Sequence, residues 1–291
     1  MFTRRRAIAL SLAAIIAPAK AEARKIPVVA SFSIIGDFVR QVGGDRVSVT
    51  TIVGPDGDAH VYEPSPADGR SIAQARLIFV NGLGFEGWLE RLIAATKSKG
   101  DVVTLGKGIT ARKDEEGEDP HAWQDVANAK VYVEAIREAL IAADPEGAAT
   151  YKANADSYLA KLDALDAEIQ QAIAAIPKER RRVVSTHDAF EYFAARYGIE
   201  FLAPQGMSTE ADVSARDVAK IIDAVKTHKV AAVFIENIAD PRLAKRIASE
   251  TGARMGGVLY SDALSDAKGD GATYIDMMRH NVKQLAKALA P

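Results

Sequence analysis

The sequence contains no cysteine among its 291 residues. A disulfide framework, a thiolate metal site and a cysteine nucleophile are therefore excluded, and there is no lipobox cysteine to acylate. Any metal has to be held by histidine and carboxylate. Histidine itself is scarce, with 5 in the chain. Neither sign of charge dominates: the net charge is -2 and the pI about 6.2. No strongly basic face follows, so a nucleic-acid partner is not expected. No apolar run reaches the roughly 20 residues that a membrane-spanning helix needs. What is present is material for a core, with 48% of residues apolar, in a length that suits two lobes of ordinary domain size.

The first residues carry an address. Thr3-Arg4-Arg5-Arg6 is a positive stretch, Ala7 to Ala17 is a short apolar run, and Ala19-Lys20-Ala21 fits a small-x-small cleavage site. Residues 1–21 are expected to be a signal peptide, and the mature chain to work in the periplasm. The paired arginines leave a twin-arginine export route open beside the general one. A first amphipathic helix of the fold is the plainer alternative.

From Lys25 onward, short apolar strands alternate with amphipathic helices. Ile26–Phe32, Val47–Val53, Leu77–Val80 and Asp101–Leu105 read as strands of a first lobe. Val183–Ser185, Glu200–Ala203, Val230–Ile235 and Gly256–Leu259 read as strands of a second. Helices are predicted between them, including 85–96 and 187–197. Strands alternating with helices predict an α/β fold, each lobe having a mostly parallel sheet flanked by helices. Asp144-Pro145 opens the longest helical pattern, which runs to Ile176-Pro177 and is long enough to pass along both lobes. The expected division is an N-terminal lobe over 22–143, a linking helix over 144–176 and a C-terminal lobe over 177–291.

Three of the histidines occupy comparable places. His60 lies in a turn after a strand, between Gly54-Pro55-Asp56-Gly57 and the prolines 64 and 66. His121 sits in the turn Asp119-Pro-His121-Ala-Trp123, and His187 follows the strand ending Val183-Val-Ser-Thr186. Asp262, in Tyr260-Ser-Asp262-Ala-Leu-Ser265, also lies just past a strand. Ligands of open α/β sheets bind at such strand ends. Two groups from each lobe would enclose one ion in the interlobe cleft, and three imidazoles with a carboxylate suit Zn²⁺, with Fe²⁺ tolerated and Mn²⁺ preferring more oxygen. Each residue has a plainer reading as well. His60 and His121 alone are ordinary loop histidines, His187 is open to a helix-start role, and Asp262 to a cap. His228 and His280, at a helix end and on the last helix, read as structural or solvated.

These stretches resemble those of the metal-binding solute-binding proteins of ABC transporters, which capture zinc, manganese or iron. The resemblance rests on Gly54-Pro55 with Asp58-Ala-His60-Val-Tyr-Glu-Pro-Ser-Pro66, on Asp119-Pro-His121-Ala-Trp123, on Ser185-Thr-His187-Asp-Ala-Phe-Glu-Tyr-Phe193 with Tyr197-Gly198, and on Tyr260-Ser-Asp262-Ala-Leu-Ser265. It runs from about Pro27 to the C-terminus. It implies two α/β lobes joined by one long helix, and His60, His121, His187 and Asp262 as the ligands. Members with Glu at the third ligand position are tuned to manganese, so His187 points to Zn²⁺ over Mn²⁺ or Fe²⁺. The long His-rich loop of many zinc-specific members has no counterpart in Ala111–Glu118, which carries only carboxylates. The implied partner is a membrane ABC permease, with a periplasmic metallochaperone as a second candidate, and the chain is expected to act as a monomer.

Two other classes compete. A zinc hydrolase needs an open coordination position for water, which a fourth protein ligand fills, and H-E-x-x-H is absent. A receptor for an organic ligand would use the aromatics Tyr62, Trp123 and Tyr260, but it gives a histidine cluster no role. The chain is not expected to be an enzyme.

Overall fold

A computed structural model describes residues 25–113, 117–228 and 230–290. The expected signal peptide lies outside the described residues, as do part of the acidic loop before His121 and Lys229.

Two parallel four-stranded sheets form the framework. The first contains β1 (Ile26–Phe32), β2 (Val47–Val53), β3 (Leu77–Val80) and β4 (Asp101–Thr104), in the order β2-β1-β3-β4. The second contains β5 (Arg182–Val184), β6 (Glu200–Leu202), β7 (Ala232–Glu236) and β8 (Arg254–Leu259), in the order β6-β5-β7-β8. The same topology therefore occurs twice. Central strands are buried on both faces: Leu77 to Val80 are all buried, as a run without polar alternation requires.

Helices cover the sheets. Those of the first half are α1 (Ser33–Gly43), α2 (Pro66–Gln74), α3 (Leu89–Thr96) and α4 (Val126–Ala143). Ser65 caps α2 in a reciprocal box with Asp68, and Pro66 takes the first helical position, where its missing N–H costs nothing. The helices of the second half are α6 (Glu191–Tyr197), α7 (Ala215–His228), α8 (Pro241–Thr251) and α9 (Tyr274–Leu289). Between them lies α5 (Ala148–Ala174), of 27 residues. The stretch expected to open it, Pro145–Gly147, is instead a single 3-10 turn. The carboxylate of Asp144 there is captured by Arg46 and by the hydroxyl of Tyr151, at 2.7 and 2.8 Å.

The buried stripe of α5 is Tyr151, Ala155, Tyr158, Leu162, Leu165, Ile169 and Ile173, a regular three-to-four-residue spacing. With it α5 packs on α1 and α4 of the first half and on α6 and α9 of the second. One continuous hydrophobic core accordingly runs from Val28 through Leu165 to Leu289. Among the described residues, no helix is long and apolar enough to cross a membrane.

Two expected helices begin late. That over 85–96 starts at Leu89, because the Glu86 carboxylate turns back to accept from the N–H groups of Asn81 and Gly82. That over 187–197 starts at Glu191. The N–H of His187 is taken by Glu236 and that of Asp188 by the carbonyl of Gly206, so the backbone is committed to tertiary partners before it can turn.

Candidate metal centre

The carboxyl ends of both sheets face one another across the cleft. His60 follows β2, His187 follows β5, Asp262 follows β8, and His121 lies in the turn ahead of α4. The structure brings all four together, with one potential ligand atom of each within 4.8 Å of the others. His60 Nε2 and His187 Nε2 each lie 3.2 Å from Asp262 Oδ2. His121 Nε2 is 3.7 Å from Asp262 Oδ1 and 3.4 Å from His60 Nε2. Four donors at 2.0–2.1 Å from a tetrahedral ion would be separated by about 3.3 Å. His228 and His280 are elsewhere: His228 ends α7 exposed, and His280 Nε2 donates to the carbonyl of Val258 at 3.0 Å.

Each imidazole is held from behind. His60 is steadied through its backbone, with its N–H donated to Asp58 Oδ1 at 2.9 Å and the Ala59 carbonyl accepting from Trp88 Nε1 at 2.8 Å. The ring of Phe85 meets that of His60 edge-on at 4.7 Å. His121 Nδ1 lies 2.8 Å from Asp119 Oδ1, which also accepts the His121 N–H. A carboxylate oxygen can only accept here, so Nδ1 carries the proton and Nε2 is left bare toward the cluster. The preceding carbonyl, of Pro120, accepts from Asn81 Nδ2, and Asn81 in turn accepts from Tyr132 and donates its N–H to the buried Glu86. His187 Nδ1 lies 2.5 Å from Glu236 Oε2, while Glu236 Oε1 accepts from Thr186 N, Thr186 Oγ1 and His187 N.

Asp262 sits on a segment clamped to the first lobe. The carbonyl of Ser261 accepts from Trp123 Nε1 at 2.9 Å and Gln124 Nε2 at 2.7 Å. Leu264 donates its N–H to Ser33 Oγ and accepts from Asp56 N, both at 2.9 Å. Asp262 itself is fully buried, and among the described residues its carboxylate oxygens face only the three imidazoles.

The electrostatics follow from that burial. Burial alone would raise the Asp262 carboxyl, but the facing His187 and His121 outweigh it and hold its pKa well below the usual carboxylate range. Burial alone would keep the His187 imidazole neutral, but Glu236 and Asp262 push its pKa well above the ordinary histidine range. The Glu236 carboxyl, opposed by its own burial, is held below its ordinary value by His187 and by the donors around it. A buried carboxylate without donors costs several kcal/mol of stability unless positive charge compensates it. In the metal-free centre the facing imidazoles supply that compensation, and a cation at the centre would take over the same role.

The residues behind the histidines were not singled out by the sequence. Asp119 is two residues from His121 and visible in the motif, but nothing in the sequence marks it as the partner of that ring. Glu236 is 49 residues from His187. Its one sequence signal is a carboxylate closing an otherwise apolar strand.

The comparisons agree with this geometry. A family model described as zinc-uptake complex component A, periplasmic (ZnuA) matches residues 28–288. The chain belongs to that family. Manganese-binding lipoprotein MntA of Halalkalibacterium halodurans is 38% identical over 268 residues, covering 91% of this chain and 89% of the relative. Iron-binding protein YfeA of Yersinia pestis is 37% identical over 270 residues, covering 91% and 86%. Among solved structures, the periplasmic zinc binding protein TroA of Treponema pallidum superposes with a TM-score of 0.89 at 30% identity, over 92% of this chain and 100% of that one. The two-lobed architecture is the TroA-like fold, and the chain is a metal-binding substrate-binding protein of an ABC transporter, not an enzyme.

Proposed function

We propose that His60, His121, His187 and Asp262 bind one divalent ion, Zn²⁺ before Mn²⁺ or Fe²⁺, and that the chain carries it through the periplasm to a membrane permease. The observation that carries this reading is the buried Asp262 carboxylate, faced by three imidazole nitrogens and, among the described residues, no other donor. Nitrogen-rich sites favour Zn²⁺ over Mn²⁺ and Fe²⁺ on intrinsic affinity. The separations of 3.2 to 3.7 Å around Asp262 also suit a small four-coordinate ion.

The second reading is a manganese or iron receptor. It draws on the names of MntA and YfeA and on Asp262, both of whose oxygens face the centre and so allow bidentate coordination and a higher coordination number. In either case residues 1–21 act as an export signal and the chain works as a monomer. The lobes divide at the linking stretch 144–176. A periplasmic metallochaperone is the second candidate partner, loading the cleft before docking.

Elemental analysis of the protein purified from its own host, followed by competition titration of Zn²⁺ against Mn²⁺, tests the choice. One ion per chain with Zn²⁺ the tighter supports the first reading. Mn²⁺ as the tighter ligand overturns the choice of zinc. No stoichiometric ion at all overturns the receptor reading.

A further inference from the structure

One of the links between the two walls of the cleft, next to the metal centre, is a carboxylate that uses its two oxygens for different tasks. Asp58 Oδ1 accepts the backbone N–H of His60 at 2.9 Å, and so shapes the turn that presents this imidazole. Asp58 Oδ2 accepts from the hydroxyl of Thr209 at 2.6 Å, a residue 151 positions away on the loop between β6 and α7 of the opposite lobe. That distance is typical of a hydroxyl donating to an ionised carboxylate, about twice as strong as a neutral pair.

The loop that carries Thr209 is braced from its own side. Gln205 Nε2 donates to the carbonyls of Thr209 and Ala211, at 3.1 and 2.8 Å, and Ser208 Oγ accepts from Glu210 N. At its root, Gly206 accepts from the N–H of Asp188, the residue after His187. The loop is therefore mechanically continuous with the His187 turn at one end and with the His60 turn, through Asp58, at the other. It also walls a cavity of about 680 Å³ over the centre, which His60 lines together with Tyr62, Phe85, Met207 and Glu210. His60 is the one residue of the four that is not fully buried.

We propose that Thr209 and Asp58 form a latch that retains the ion: Thr209 reports closure of the second lobe to Asp58, and Asp58 transmits it to His60. Neither residue touches the ion, and both act by positioning. With the latch made, the His60 turn is fixed and the ion leaves slowly. When the 206–212 loop lifts, Asp58 loses one of its two partners, the His60 turn loosens, and the most accessible ligand is the first to let go. This inference rests on the metal-binding reading above.

The test is the release rate of Zn²⁺ from the full chain into excess chelator by stopped flow, with association measured separately. Loss of a hydrogen bond to a charged group predicts that T209V releases Zn²⁺ roughly tenfold faster, with association changed less than about twofold. T209S, which keeps the hydroxyl, should restore the original rate. D58N should release faster still, and T209V/D58N no faster than D58N alone, because both changes break one chain of contacts. An unchanged rate in T209V overturns the latch, as does a T209S rate equal to that of T209V or additivity in the double variant. If the unsubstituted protein retains neither Zn²⁺ nor Mn²⁺ stoichiometrically, the metal-binding reading fails instead, so the two failures are distinguishable.

Discussion

His121 and His187 are held by the same chemistry built in two ways. In each, a carboxylate behind Nδ1 fixes the tautomer and turns Nε2 toward the centre. For His121 the carboxylate is Asp119, two residues away in the same turn, and one oxygen takes both the ring and the backbone N–H. For His187 it is Glu236, brought from the end of a neighbouring strand, and it also gathers Thr186 N, Thr186 Oγ1 and His187 N. The first arrangement is a local turn that happens to hold a ligand. The second exists only once β5 and β7 have paired. Both rings stand between a buried supporting carboxylate and the buried Asp262.

The largest effect expected is loss of a ligand. His60→Ala or His187→Ala should weaken Zn²⁺ binding by at least about a thousandfold, since each removes one of four donors from a closed site. His228→Ala, on an exposed helix end, should leave it unchanged. Competition with a chelator of known affinity measures both. Comparable losses in the His228 variant would mean that the site lies elsewhere.

The next effect separates the two supporting carboxylates. Outer partners of ligating histidines typically contribute 10- to 100-fold in affinity. Glu236→Gln should fall near the upper end of that range, about 100-fold, because the substitution disturbs four contacts. Asp119→Asn should fall near the lower end, about tenfold. Calorimetric affinities of the two variants sharpen the comparison, and the reverse order would break it.

A smaller effect comes from protons. With its pKa raised in the metal-free site, His187 carries a proton at neutral pH that the ion must displace. Asp262 is held low and is already ionised, so it adds no proton between about pH 5 and 8. Affinity should therefore rise with pH by up to about tenfold per unit until pH passes the raised pKa of His187. Glu236→Gln should move this dependence to lower pH, since Glu236 is the main group raising His187. Titration calorimetry in buffers of different ionisation enthalpy reads the proton count, expected to be about one per ion.

The same contrast explains what was legible in the sequence. β2 and β3 could be bounded from the chain because their apolar runs are closed by Gly54-Pro55 and Asn81-Gly82. The buried stripe of α5 follows from its spacing. His60, His121, His187 and Asp262 stood out because each lies just past a strand or in a Pro-bearing turn, and the family resemblance joined them. Glu236 did not stand out, since its role depends on which strands are neighbours. The late starts of α3 and α6 were hidden for a related reason. At α6 a distant carboxylate and carbonyl take the N–H groups of His187 and Asp188, which local propensity would have assigned to a helix, and at α3 the Glu86 carboxylate is turned back onto Asn81 and Gly82. Local chemistry could be read from the chain, and pairing across the sheet could not.

Side chains from both lobes are expected to hold one ion through three imidazoles and a carboxylate. Zinc K-edge X-ray absorption on the protein loaded with one equivalent of Zn²⁺ tests it directly. The predicted spectrum shows nitrogen and oxygen neighbours at about 2.0–2.1 Å and outer-shell scattering from three imidazole rings. A first shell of oxygen alone, with no imidazole scattering, would contradict it.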